Sequence, residues 1–480
     1  MVLRQSGGGC EAMSGRRESS TLGMGAMSGA HAGAVRGFSG YRFRLVPRLQ
    51  TLSTADLTAF HQDIQRRYDA FRQRGLALDL TRGKPSSEQL ALSDALLELP
   101  GRQDYVAADG TDTRNYGGLQ GLTELRGLLA PLFGTVPAQT VIGDNSSLAL
   151  MHDAIAFSLL TGTLGSERPW SRESRVAFLC PVPGYDRHFA ICQDFGIEMI
   201  AVSLNDDGPD MDEVERLVAA DPAIKGMWCV PKYSNPSGAV YSDTVVQRLA
   251  AMPTAAPDFR IFWDNAYAVH HLTDERIEIP SLIEACATHG HPNRAFVFGS
   301  TSKITLAGAG VALFAGSPAN VAWYLGRMGK RTIGGDKVNQ LRHVRALGST
   351  DGLRTLMDRH RAIVAPKFAA VADAFAAHLG GTGVASWLVP KGGYFISLDV
   401  LDGCARAFVK AAKDAGVELT PAGATHPYGT DPNDRTVRIA PTFPDLATVT
   451  MAAEGVALSA LLVTSGSLLR ARHASQPAQA

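Results

Sequence analysis

Asn235, Asp264 and Lys303 stand just after three short runs of β-branched and aromatic residues, in Pro231-Lys-Tyr-Ser-Asn-Pro-Ser-Gly238, Phe262-Trp-Asp-Asn-Ala-Tyr267 and Ser300-Thr-Ser-Lys303. Residues at the carboxyl ends of strands in an open α/β sheet converge on one crevice. An amide, a carboxylate and an amine are therefore expected at one place. The three together suit pyridoxal 5'-phosphate. A lysine amine bonds its aldehyde, a carboxylate keeps its ring nitrogen protonated so that the ring accepts electrons, and a neutral donor with a tyrosine hydroxyl polarises its ring oxygen. Tyr267, three residues beyond Asp264, can act from the same loop. Singly, each residue has an ordinary reading: Lys303 as a solvated lysine, Asp264 as a strand-end turn residue, Asn235 before its proline as a turn former.

These side chains need a frame. Strand-like runs fall at residues 175–180, 197–204, 224–230, 260–263, 294–298 and 311–315, most of them separated by helical stretches such as 211–220. That alternation predicts an α/β fold whose mainly parallel sheet is covered by helices on both faces. The link from 298 to 311 is too short for a crossover helix, so the last strand is expected to be antiparallel. A smaller α+β unit follows, with a strand at 393–400, a helix at 406–415 and strands at 417–420 and 436–440. The predicted division is a large cofactor-binding domain over 86–340 and a small domain built from 51–85 and 341–463, with a cleft between them.

Two further groups fit a phosphorylated ligand and its substrate. Asn145, Ser146 and Ser147 precede an apolar stretch, 149–160, of helical character. A helix N-terminus offers free amides and a positive dipole end to an anion, although capping by Asn145 or Ser146 alone is the commoner use of such residues. Arg438 lies between Val437 and Ile439. On a strand, alternation buries the two aliphatics and turns the guanidinium to the cleft, where it can grip an α-carboxylate in bidentate fashion.

With Leu80-Thr-Arg-Gly-Lys-Pro85, Tyr116-Gly-Gly-Leu-Gln-Gly121, Asp144-Asn-Ser-Ser-Leu148, Pro183-Gly-Tyr-Asp-Arg-His188 and Arg438-Ile-Ala-Pro441 added, the chain resembles fold-type I pyridoxal phosphate aminotransferases, in particular the divergent aspartate aminotransferase branch called subgroup Ic. The resemblance covers everything but the two ends. It implies a seven-stranded-type sheet with a smaller α+β domain, and a homodimer. By that resemblance Lys303 bonds the cofactor and carries the proton, Asp264 meets the ring nitrogen, and Asn235 and Tyr267 meet the ring hydroxyl. Tyr185 would stack on the ring, His188 support Asp264, and Asn145, Ser146, Ser147 and Ser300 hold the phosphate. Tyr116 would reach the phosphate of the neighbouring subunit's site. Arg438, Gly83 and Asn235 would meet the substrate. Many relatives carry an arginine eight residues after the lysine, where this chain has Val311. Subgroup Ic shares the Ala-Gly-Ala-Gly run before it, and Lys330 or Arg331 are substitutes to consider for neutralising the phosphate.

The activity so implied is transfer of an amino group from L-aspartate to 2-oxoglutarate. A dicarboxylate needs a second cation, for which Arg82, Lys84, Arg114, Lys232 and Arg331 are candidates. An alanine or aromatic specificity would need a less cationic pocket. A pyridoxal phosphate lyase or decarboxylase would use the same lysine and aspartate. A non-catalytic regulator would carry a fused DNA-binding helical domain, for which residues 1–50 are too short and Gly-rich.

Composition supports a cytoplasmic enzyme. Of 480 residues 45% are apolar, and 46 basic residues balance 46 acidic ones, which removes any global electrostatic case for nucleic acid or an anionic membrane as partner. Six scattered cysteines lack CxxC or metal-like spacing and read as buried thiols of a reducing compartment. The apolar window 455–469 is too short to cross a bilayer comfortably. Residues 1–50 hold ten glycines, six serines, seven arginines and two acids, and are expected to be disordered, as are 464–480. An Arg-rich, acid-poor start has the composition of a transit peptide, but the glycine runs and Met13, Met24 and Met27 favour a misplaced start codon or an unselected tail.

Overall fold

Helices on both faces make the central strands apolar along their whole length, and this is why those strands are legible as continuous hydrophobic runs. The computed structural model describes residues 48–475. Its main sheet contains β2 (Thr140–Ile142), β3 (Ala177–Val182), β4 (Glu198–Asn205), β5 (Gly208–Pro209), β6 (Ile224–Cys229), β7 (Arg260–Asp264), β8 (Ala295–Ser300) and β9 (Ala312–Ala315), in the order β2-β9-β8-β7-β6-β3-β4-β5. The seven-stranded expectation thus gains a two-residue edge strand, β5. Strands β6, β7 and β8 are parallel neighbours, and β9 runs antiparallel to β8 as the short link requires. Their side chains alternate between faces: Leu179, Met227, Ile261 and Val297 pack into one core, Phe178, Trp228, Phe262 and Phe296 into another.

The smaller unit has its own core. It joins the helix Thr54–Arg72 to β1 (Leu78–Asp79), β10 (Ala385–Trp387), β11 (Ile396–Val400), β12 (Val417–Glu418) and β13 (Thr436–Ile439), with the helices Ala405–Asp414 and Leu446–Ala474. Strand β11 lies antiparallel between β10 and β13, and β1 pairs in parallel with β12.

Three expectations need correction. Residues 464–474 are not a tail but the last turns of the helix Leu446–Ala474. The helix continues there because the Thr464 and Ser465 hydroxyls donate to the carbonyls of Ala460 and Leu461, four residues back, and both residues are fully buried. This helix is long and apolar enough to cross a membrane; here Val449, Ala453, Val456 and Leu461 pack into the small core. At the other end, Leu49 is buried and its N–H donates to Thr382 O, so 48–50 belong to the folded unit, while the rest of the 1–50 expectation lies outside the described residues. The 340/341 boundary also shifts. Leu341, Leu347, Leu353 and Met357 belong to the large-sheet core, and the changeover falls inside the helix Thr350–His378.

Gly455 lets the helix Leu446–Ala474 touch its neighbours, since a Cβ there would stand 2.6 Å from the Phe71 ring and 2.9 Å from Val417 Cγ2. Gly455→Val is expected to lower stability by about 1–3 kcal/mol through overpacking. An unchanged urea midpoint would show that the helix can give way.

Candidate active site

The parallel pairing of β6, β7 and β8 brings their carboxyl ends out side by side, so the loops after them share one cavity of about 250 Å³. Asn235, Asp264, Tyr267, Ser300 and Lys303 line it, joined by Ser146, Ser147 and Tyr185. Asn235, Asp264 and Lys303 are thus brought together from the carboxyl ends of three neighbouring strands and the loops after them.

Asp264, only 2% exposed, closes β7. Its Oδ2 accepts from His188 Nε2 at 3.1 Å, and its Oδ1, also buried, has no hydrogen-bond partner among the described residues. His188 is held flat against Trp228, with ring centroids 4.2 Å apart and planes at 6°. Lys303 Nζ has no acceptor among the described residues and lies 5.1 Å from the centre of the Tyr267 ring. Burial pushes its pKa down, with Asp264 opposing. Burial pushes the Tyr267 hydroxyl well up and the Tyr185 hydroxyl up to about 12, so both stay protonated donors at neutral pH.

At the other end of the cavity, Ser146 caps the helix Ser147–Thr161, its Oγ accepting from Ala149 N at 3.3 Å. Capping and anion binding are compatible, because one cap bond leaves other first-turn amides free. Asn145 is exposed and does not line the cavity; its carbonyl accepts from Ser302 Oγ at 3.0 Å.

Arg438 projects from β13 and is 7% exposed between Val437 and Ile439. Its Nη1 donates to Asp186 Oδ1 at 2.8 Å and to Asn235 Oδ1 at 3.4 Å, while Nη2 has no partner among the described residues. The Phe395 ring lies against the guanidinium, 5.0 Å from centroid to Cζ. Gly83 lies close against that ring, where a Cβ would stand 2.3 Å from Phe395 Cζ.

The sequence model of the aspartate amino-transferase family matches residues 52–472. The chain belongs to that family. It is 51% identical over 417 residues to an aspartate aminotransferase of Corynebacterium glutamicum, a match spanning 87% of this chain and 96% of the relative. A crystal structure of an aspartate transaminase from Corynebacterium glutamicum superposes with a TM-score of 0.86 at 50% identity, over 88% of this chain and 99% of that one. At 20% identity the fold alone is shared with the α-aminoadipate aminotransferase LysN of Thermus thermophilus, with a TM-score of 0.66 over 83% of this chain and 95% of that one; that structure holds N-(5'-phosphopyridoxyl)-L-leucine.

Several cations that the sequence offered this aminotransferase are committed elsewhere. Arg331 pairs with Asp144 and, at 3.0 Å, with Asp153. Arg114 pairs with Asp112 and lies over Tyr105. Lys232 donates to Ala268 O and opens on a different cavity. Tyr116 is 83% exposed, away from the cavity, on a loop whose Asn115 and Gly117 carbonyls accept from Lys337 Nζ. Sequence reasoning missed Ser302 on the cavity wall and Asp186 on Arg438. Both sit inside motifs already singled out, Ser300-Thr-Ser-Lys303 and Pro183-Gly-Tyr-Asp-Arg-His188, and their neighbours drew the attention.

His188 is the one side-chain partner of Asp264 among the described residues. His188→Leu is expected to destabilise the cofactor-free protein by about 1–3 kcal/mol, the cost of a buried acceptor left bare. Urea unfolding with no change would mean that Asp264 is already hydrated.

Proposed function

We propose that this aminotransferase uses pyridoxal 5'-phosphate held by Lys303 and Asp264, and moves the amino group of L-aspartate to 2-oxoglutarate. The buried Oδ1 of Asp264, without a partner among the described residues, carries the reading, because a carboxylate oxygen and a lysine amine lining one cavity suit a ligand bearing a protonated ring nitrogen and a carbonyl. The residues fit that cofactor from end to end. Ser146, Ser147 and Ser300, with the first-turn amides of the helix Ser147–Thr161, suit its phosphate. Tyr185 offers a ring face, Asn235 and Tyr267 the polar contacts of its ring oxygen, and His188 keeps Asp264 in place. When bound, the cofactor supplies an aldehyde for the incoming amine and a ring able to take up an electron pair.

The chain's own residues do the rest. Arg438 receives the α-carboxylate on its free Nη2 and, as Asp186 gives way, on Nη1. Lys303, with its pKa depressed by burial, is a base able to take the proton from the α-carbon and return it on the other side of the exchange. Gly83 keeps the segment beside it close enough to seat Phe395 under Arg438. The side-chain carboxylate of aspartate finds its cation in Arg82 or Lys84, which flank Gly83 and have no carboxylate partner among the described residues; Lys84 rests on the Phe443 ring. Tyr116 serves the cavity of a second copy, which accounts for a large aromatic exposed on a pinned loop.

Three measurements test this. Protein loaded with pyridoxal phosphate should shift its visible absorption to that of the amine form when L-aspartate is added without an acceptor, and Lys303→Ala should abolish turnover; no shift with aspartate, glutamate or alanine rules out transamination of these substrates. Arg438→Ala should raise the KM for the amino acid by at least ~30-fold, the loss of one partner of a buried charge pair, and an unchanged KM removes its carboxylate role. Sedimentation should give a dimer, and Tyr116→Phe should weaken cofactor retention; a monomer of full activity contradicts the shared site.

A further inference from the structure

The turn that carries Lys303, residues 301–305, is held by three buried histidines from three separate elements. His270, in the loop after β7, places Nε2 3.2 Å from Lys303 O. His360, on the helix Thr350–His378, places Nε2 2.9 Å from Ile304 O. His343, on the helix Lys337–Leu347, places Nε2 3.2 Å from Thr301 Oγ1 and 3.0 Å from Thr305 Oγ1.

Their tautomers follow from their partners. A carbonyl only accepts, so Nε2 carries the proton in His270 and His360. His343 Nδ1 lies 2.8 Å from Asn339 O and carries the proton there, which leaves Nε2 to accept from the threonine hydroxyls. Burial pushes all three imidazoles down, His360 to about 4, so the rings are neutral near neutral pH.

His360 does more than cap one carbonyl. Its Nδ1, necessarily an acceptor, receives Gln89 Nε2 at 3.0 Å; the same amide donates to the Tyr394 hydroxyl at 2.9 Å, and that hydroxyl donates to Lys303 O at 3.4 Å. Gln89 is itself fixed, with Oε1 accepting from Ser86 N at 3.1 Å in a capping box. One glutamine thus supports both carbonyls at Lys303 and Ile304. Along the helix, Leu353 and Met357 before His360 belong to the large-sheet core, and Val364 and Phe368 after it belong to the small one.

We propose that His360 is a positioning residue: it ties the helix joining the two cores to the peptide beside Lys303 and so fixes where the lysine amine emerges. The proposal rests on the reading of Lys303 as the cofactor-bonding lysine. Without the N–H of His360, Ile304 O is a buried acceptor with no partner. The turn then relaxes, and displacements near 1 Å at a reacting group are costly in rate.

His360→Gln and His360→Asn separate this from a packing role. Glutamine can place an N–H where Nε2 stood, whereas asparagine is polar and tolerable but too short to reach Ile304 O. In the cofactor-free full chain, His360→Asn should speed hydrogen exchange of the 301–305 amides by ~10-fold or more. In the loaded enzyme it should lower kcat by ~10-fold or more with the amino-acid KM changed less than about two-fold. Glutamine should recover most of both. Wild-type exchange at 301–305 in the asparagine variant, or a kcat loss that glutamine shares, overturns the proposal, as does a lowered Tm with neither change. If the wild type itself takes up no pyridoxal phosphate, the reading of Lys303 fails, and the exchange comparison still decides whether His360 orders the turn.

Discussion

A carboxylate buried at the end of β7 with one oxygen satisfied and the other bare is the constraint around which this molecule is arranged. Taking such a group out of water costs several kcal/mol unless hydrogen bonds and opposite charge offset it. His188 offsets half. The histidine is in turn held by Trp228 of β6, and it rides on the helix Asp186–Asp194, which packs against the sheet next to β4. Two adjacent strands and a helix are thus used to hold one oxygen, and the remaining oxygen has no hydrogen-bond partner among the described residues.

The same helix start also reaches Arg438. Tyr185, Asp186 and His188 lie within four residues, so the ring face, the carboxylate on Arg438 and the support of Asp264 move together. Arg438 reaches this cluster from β13 in the smaller unit, while Asn235 and Asp186 belong to the larger. A buried guanidinium is costly unless an anion or several acceptors offset its lost hydration. Asp186 fills that place on Nη1 and leaves Nη2 without a partner among the described residues, which is compatible with the carboxylate role proposed above.

Much of this was legible in the sequence for a physical reason. Strands covered on both faces are apolar at every position, so β6, β7 and β8 and the polar residues that follow them stood out, and the helix read at 211–220 is the helix Met211–Ala220. What escaped notice depends on contacts with no local signature. The helix Leu446–Ala474 continues through Thr464 and Ser465 because their hydroxyls bond within the helix, a fact that composition conceals. His270, His343 and His360 lie 33 to 56 residues from their partners in the Lys303 turn, and Gln89 meets His360 across 271 residues. No spacing rule singles out such residues before the chain is folded. The two-residue strands β1, β5 and β12 are too short to leave any periodicity.

The lysine itself shows how fixity and freedom are divided. Its carbonyl accepts two hydrogen bonds and the next carbonyl a third, while its Nζ donates to no acceptor among the described residues and lies over the Tyr267 ring. In the chemistry proposed above, a nitrogen that forms a bond, gives it up and carries a proton between times is poorly served by a fixed charge partner, because each change of role would have to break that contact. Anchoring the peptide instead leaves the four-carbon stem to swing about a fixed root. The bonds that hold the root come from His270 beside the sheet, from His360 on the helix shared by both cores, and from Tyr394 ahead of β11. The amine is therefore aimed by backbone contacts to both parts of the molecule, at the cost of burying neutral histidines that serve no acid–base purpose of their own.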